Sequence, residues 1–137
     1  LQDMVKRRSG KIMNVASTAS FQAGPTMAVY CATKAYVLSF TEAVSNEVGD
    51  KGITITALCP SATETGFQAA GGLEESELFK GKKLPTAKAV AEYGYTSMIK
   101  GKTVAIHGIM NSIMSNSIRF IPRAVVLKVS RKMLDKA

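Results

Sequence analysis

Three stretches of the chain carry the apolar content of strands, and helical periodicity fills the spaces between them. Lys11 to Ala16, with Ile12, Met13 and Val15, predicts a short first strand, and Ile53 to Cys59 (ITITALC) alternates and predicts a second. Thr103 to Ile106 predicts a third, followed by a turn at His107-Gly108. Between the first two, Thr26 to Val48 spaces Val29, Ala32, Tyr36, Phe40 and Val44 as a long helix, and Gly49 and Gly52 stop it. Thr86 to Lys100 predicts another helix, opened by a threonine cap after Pro85 and closed by Gly101. Strand-helix-strand units imply parallel pairing through right-handed crossovers, so the predicted fold class is α/β, a doubly wound parallel sheet.

Two segments break this rhythm. Residues 66–85 are charged and irregular; Gly71-Gly72 reads there as a turn, and Leu78 and Phe79 as part of a lid. From Ser117 onward, Ile118, Ile121, Val125, Val129 and Met133 fall along one helical side, with Arg123, Lys128, Arg131 and Lys132 elsewhere. Pro122 either starts a second helix or kinks the first.

Charge sharpens that contrast. Residues 1–79 hold six Lys/Arg and eight Asp/Glu, whereas residues 80–137 hold twelve and two, so the net +8 is a C-terminal property. Residues 117–137 therefore predict a basic amphipathic helix. Its apolar stripe either covers the core or a subunit interface, or makes a weak contact with an anionic membrane surface. No run approaches a membrane span, and the basic residues lack the interleaved aromatics of a nucleic-acid surface, so no nucleic-acid partner is expected. The 137 residues allow a single domain, and 46% hydrophobic content suffices for a core. Cys31 and Cys59 are far apart and there is one histidine, which gives neither a redox pair nor a metal site. The cysteines read as buried small hydrophobes of a reduced, cytoplasmic compartment, and His107 as structural or solvent-facing.

Candidate chemistry gathers near the first strand. Tyr30 and Lys34 stand at i and i+4 in YCATKA and share one helix face, thirteen residues after Ser17 closes the run KIMNVAS. A phenol titrates near pH ~10, and an adjacent ammonium favours the phenolate, which suits Tyr30 to exchange a proton beside Lys34. Ser17 can hydrogen-bond an oxygen on which charge changes as a hydride moves. Taken singly, such residues are more often a half-buried aromatic, a snorkelling amine, or a turn or helix cap among Ser17, Thr18 and Ser20.

Together these residues resemble the short-chain dehydrogenase/reductase family over almost the full chain. NVAS, ending in Ser17, is similar to the family's Asn-x-Ser-Ser segment, and Tyr30 to Lys34 to its Tyr-x-x-x-Lys. Pro60, Ser61, Ala62, Thr63, Glu64 and Thr65 are similar to its Pro-Gly-x-x-x-Thr. The resemblance implies the C-terminal half of a single NAD(P)-binding, Rossmann-like domain roughly twice as long, spanning 1–137 here, with residues 66–85 as its substrate loop. It implies an oxidoreductase that interconverts an alcohol and a carbonyl, with Ser17, Tyr30 and Lys34 catalytic. It also implies NAD or NADP held by Tyr30, Lys34, Pro60, Ser61, Thr63 and Thr65. In such proteins the helix over 26–48, with a preceding helix near Gln2 to Arg8, commonly forms a homodimer or homotetramer. Ser61 departs from the family's glycine, so the loop path is expected to shift slightly.

The chain carries no glycine-rich phosphate fingerprint and no residue placed to choose between NAD and NADP. That leaves a second reading, a non-catalytic dinucleotide-binding or scaffold protein built on the same core. Substrates compatible with the apolar residues are lipid-like, steroidal or small carbonyl compounds.

Overall fold

In the computed structural model, residues 1–72, 81 and 83–134 are described; Leu78 and Phe79, the expected lid residues, lie outside them. Strands β1 (Gly10–Val15), β2 (Ile53–Cys59) and β3 (Val104–Ile106) form a parallel sheet in the order β1-β2-β3. The register pairs Gly10 with Ile53 through Val15 with Leu58, and Ala57 with Val104 through Cys59 with Ile106. Main-chain bonds extend the β1–β2 ladder beyond both strands, from Ala16 N to Leu58 O at 2.7 Å and from Thr18 N to Pro60 O at 2.8 Å. Those two bonds fix Ser17 beside Pro60 and so create the floor of the cleft described below.

Helices cover both sheet faces. Helix α1 (Gln2–Arg7) and the long α2 (Ala28–Val48) lie on one face, where Leu38 packs on Ala57, Cys59 and Ile106, and Val48 packs on Ile53 and Ile55. After the short α3 (Phe67–Gly71), helix α4 (Ala87–Ile99) covers the other face, with Val90 against Leu58 and Ala105. Strand β2 is buried on both faces although its sequence alternates, and the buried Thr56 is accommodated because its hydroxyl donates to the Lys102 carbonyl at 2.6 Å. The fold is the α/β parallel arrangement expected from the sequence.

Several local expectations shift. Helix α2 begins at Ala28 rather than Thr26, because Thr26 has φ of 69°, outside the helical region. The stripe Val29, Tyr36 and Phe40 faces solvent; the face toward the sheet carries Cys31, Leu38, Thr41 and Val48. Thr41 is buried there without loss of pairing, since its hydroxyl accepts from Asn14 of β1 at 2.9 Å and donates to the Val37 carbonyl at 2.6 Å. Thr86 caps α4 as expected, accepting from Ala89 N at 3.2 Å.

The region after β3 contains a helix the pattern did not announce, α5 (Ile109–Ser117), which leads through a 3-10 turn at Ile118–Phe120 to α6 (Arg123–Leu134). Pro122 precedes α6, so it starts a second helix rather than kinking one. The inward residues of α6 are Val126, Ser130, Met133 and Leu134, and the expected stripe residues Val125 and Val129 are exposed.

Candidate active site

At the C-terminal end of the sheet, a cleft of about 450 Å³ is lined by Ser17, Tyr30, Lys34, Pro60, Ser61, Thr63 and Thr65. A carboxyl-end crevice is where open α/β sheets bind ligands. Each wall has a local cause. Ser17 caps a 3-10 turn, Thr18–Phe21, its oxygen accepting from Ala19 N at 3.1 Å and donating a long contact of 3.4 Å to the Pro60 carbonyl. The weak second bond leaves the hydroxyl proton easily redirected to an oxygen in the cleft.

Helical geometry brings Tyr30 and Lys34 together. The Lys34 ammonium stands 5.8 Å from the Tyr30 ring centroid and donates to the Val15 carbonyl at 2.9 Å. That bond uses one of three N–H groups, so the amine has capacity for a ligand while it remains anchored to β1. Phe67 also packs on Tyr30, with centroids 5.3 Å apart at 42°.

Residues not anticipated as part of the site organise it. The Ser20 hydroxyl accepts from Ser17 N at 3.2 Å and donates to the Lys34 carbonyl at 2.9 Å, tying the serine turn to the helix turn that holds the lysine. The two serines form a capping box with serine where glutamate or glutamine usually stands, so the geometry shows it although the usual sequence signature is missing. Asn111 of α5 donates to Ser61 Oγ at 2.9 Å and to the His107 carbonyl at 2.8 Å. The serine in place of the family's glycine is thus bonded, and its backbone does not enter the left-handed region. Thr65 Oγ1 caps the start of α3, accepting from Phe67 N at 3.2 Å, and Thr63 Oγ1 donates to the Ser61 carbonyl at 2.8 Å.

Helix α6 closes one side with Ser130, Met133 and Leu134. It approaches closely because residue 24 is glycine: a Cβ there would lie 2.5 Å from Cys31 Sγ and 3.3 Å from Leu134 Cδ1. Burial pushes the Cys59 thiol up to about 11, against an opposing pull from the Ser17 backbone, and burial also raises Cys31. Both thiols are therefore unreactive packing groups at neutral pH. His107 stacks edge-on against Tyr93, with centroids 5.3 Å apart, and Tyr93 in turn packs on the α4-side core. Among the described residues no cluster of His, Cys, Asp or Glu could hold a metal.

The family model for short chain dehydrogenase matches residues 1–75, which include Ser17, Tyr30, Lys34 and the Pro60–Thr65 segment. The chain belongs to the short-chain dehydrogenase family. The 3-oxoacyl-(acyl-carrier-protein) reductase FabG of Haemophilus influenzae is 34% identical over 121 residues, covering 79% of this chain and 49% of the relative. A short-chain dehydrogenase from Sphingobium yanoikuyae, solved in complex with NADPH, aligns at TM-score 0.69 and 21% identity, covering 90% of this chain and 50% of that one. A 7beta-hydroxysteroid dehydrogenase aligns at TM-score 0.76 and 19% identity, covering 94% and 49%. These two likenesses show the short-chain dehydrogenase fold. The chain spans about half the length of the curated relatives it matches.

Proposed function

We propose that the protein to which this chain belongs is an NAD- or NADP-dependent oxidoreductase that interconverts an alcohol and a carbonyl, with Ser17, Tyr30 and Lys34 as its catalytic groups. The observation that carries this reading is the convergence of the three side chains on one cleft, with the Lys34 ammonium over the Tyr30 ring and the Ser17 hydroxyl only weakly engaged. The cleft also fits the nicotinamide end of a dinucleotide: Lys34 offers donors for ribose hydroxyls, and the Pro60–Thr65 backbone and hydroxyls offer partners for an amide. When bound, the nicotinamide would supply or accept a hydride at the substrate carbon.

In the reducing direction, Ser17 donates to the carbonyl oxygen and holds it, and Tyr30 gives that oxygen its phenolic proton as negative charge develops there. Lys34 stabilises the phenolate left behind and fixes the ribose, so the reacting atoms meet in one orientation. Oxidation reverses each transfer. Ser20 acts through the other two by holding the Ser17 turn against the Lys34 turn. In the complete polypeptide, Tyr30→Phe should abolish turnover of carbonyl substrates while tryptophan-independent probes of folding and NAD(P)H titration stay near wild type. Near-normal turnover would sink the assignment.

We also assign homodimer or homotetramer pairing to the outer face of α2. Val29 is 78% exposed there, and Tyr36 and Phe40 stack at 5.9 Å on the surface. Sedimentation equilibrium reads this directly, and a monomer at micromolar concentration would refute it.

A further inference from the structure

Helix α5 is amphipathic the wrong way round. Its polar Asn111, Ser112 and Ser115 turn inward, whereas Ile109, Met110, Ile113 and Met114 are 83%, 67%, 59% and 50% exposed. The apolar surface continues across a groove of about 310 Å³ to α6, lined by Met114, Ile118, Ile121, Val125, Val129 and Met133. At the turn between the helices Phe120 is 88% exposed. Monomeric soluble surfaces seldom expose apolar side chains so contiguously, and such patches mark docking sites.

Charge selects the occupant. From Ile109 to Leu134 the chain has five cations and no carboxylate, and Arg119, Arg123, Lys128 and Lys132 of the same segment are exposed. A second copy docked face to face would set these cations against their own kind, with no acidic residue of the segment to relieve them. An anionic bilayer satisfies both features together: the acyl boundary receives Phe120 and the α5 stripe, and the headgroups receive the cations. No described helix is long and apolar enough to cross a membrane, so the contact is a surface one.

We propose that the α5–α6 hairpin docks the protein on an anionic phospholipid surface, with Ile109, Met110, Ile113 and Phe120 inserted and Arg119, Arg123, Lys128 and Lys132 on the headgroups. Docking places lipid beside the candidate cleft, because the groove and the cleft share Gln22 and Met133.

The test is flotation of the complete polypeptide with vesicles of phosphatidylcholine and of an equimolar phosphatidylcholine–phosphatidylglycerol mixture, at about 0.1 M salt, where screening is incomplete. Wild type should float with the anionic vesicles alone and be released as salt rises. Arg119→Gln with Arg123→Gln should lower partitioning roughly five-fold for each cation removed. Phe120→Ser should lower it about ten-fold or more. Circular dichroism confirms that each variant retains the wild-type helix content. Three outcomes would overturn the proposal. Wild type could stay in the protein-only fraction, all variants could float equally, or a wild-type dimer could be split by Ile113→Ser with no lipid affinity.

Discussion

Ser20→Ala removes a single oxygen, yet that oxygen joins two of the three candidate catalytic residues. It accepts from Ser17 N at 3.2 Å and donates to the Lys34 carbonyl at 2.9 Å. The Lys34 carbonyl lies within α2 and keeps its helical partner four residues on, so losing the serine there costs about 0.5–1.5 kcal/mol. The Ser17 amide belongs to a residue only 8% exposed and would be left without an acceptor, which costs about 1–3 kcal/mol. Entry of water at the rim of the cleft offsets part of the second figure, so we expect a total near ~2 kcal/mol. Urea unfolding of the complete polypeptide measures it, as a midpoint shift of about 1 M for an m-value near ~2 kcal/mol/M. Under the proposed function, kcat/KM should also fall about ten-fold, because Ser17 and Lys34 lose their common tether and drift from a productive geometry. A stability change below about 0.5 kcal/mol would show that the hydroxyl joins nothing of consequence, and the reasoning would fail with it.

Two further expectations concern packing and pH. In Gly94→Ala the new methyl of α4 would lie 2.6 Å from Leu58 Cδ2 and 3.2 Å from Met13 Sδ, beside a Leu58 that is 4% exposed and packed with Val90 and Ala105. Overpacking of about 1–3 kcal/mol outweighs the roughly 1 kcal/mol gained in helix propensity, so thermal unfolding should move to lower temperature; a stabilised variant would contradict the close approach. For Cys59, the folded thiol is raised from 9.0 to about 11, so the neutral form is favoured in the native state. The resulting stability is fully present below pH 9.0, and about 2 kcal/mol of it is lost as pH rises through about 11. The stability difference between wild type and Cys59→Ala should shrink over that window, and a constant difference would count against the buried thiol.

Much of this architecture is written locally. The strand runs, the glycines that end α2 and the threonine that caps α4 are decided by neighbours within a turn or two, and they appear where the pattern puts them. Tyr30 and Lys34 meet because any helix brings i and i+4 together, so their pairing needed no knowledge of the rest of the fold. Ser17 reaches their cleft through the β1–β2 register, which parallel pairing of the two strands imposes.

Other features depended on distant partners. Helix α2 carries apolar residues on two sides, and only contact with β2 decided that Leu38 and Val48 go inward while Val29 and Tyr36 stay out. Helix α5 escaped the pattern altogether because its buried side is the polar one: Asn111 turns inward to bond Ser61, fifty residues away in the chain. The lateral wall built by Ser130 and Leu134, and the packing of Phe67 on Tyr30, likewise arise from contacts across the fold. The sequence by itself determined which segments are helix or strand and which side chains share a turn, because those choices follow from short-range sterics and periodicity. Which face each element buries, and which remote residues complete the cleft, only the tertiary structure decided, because that free energy resides in contacts between residues far apart along the chain.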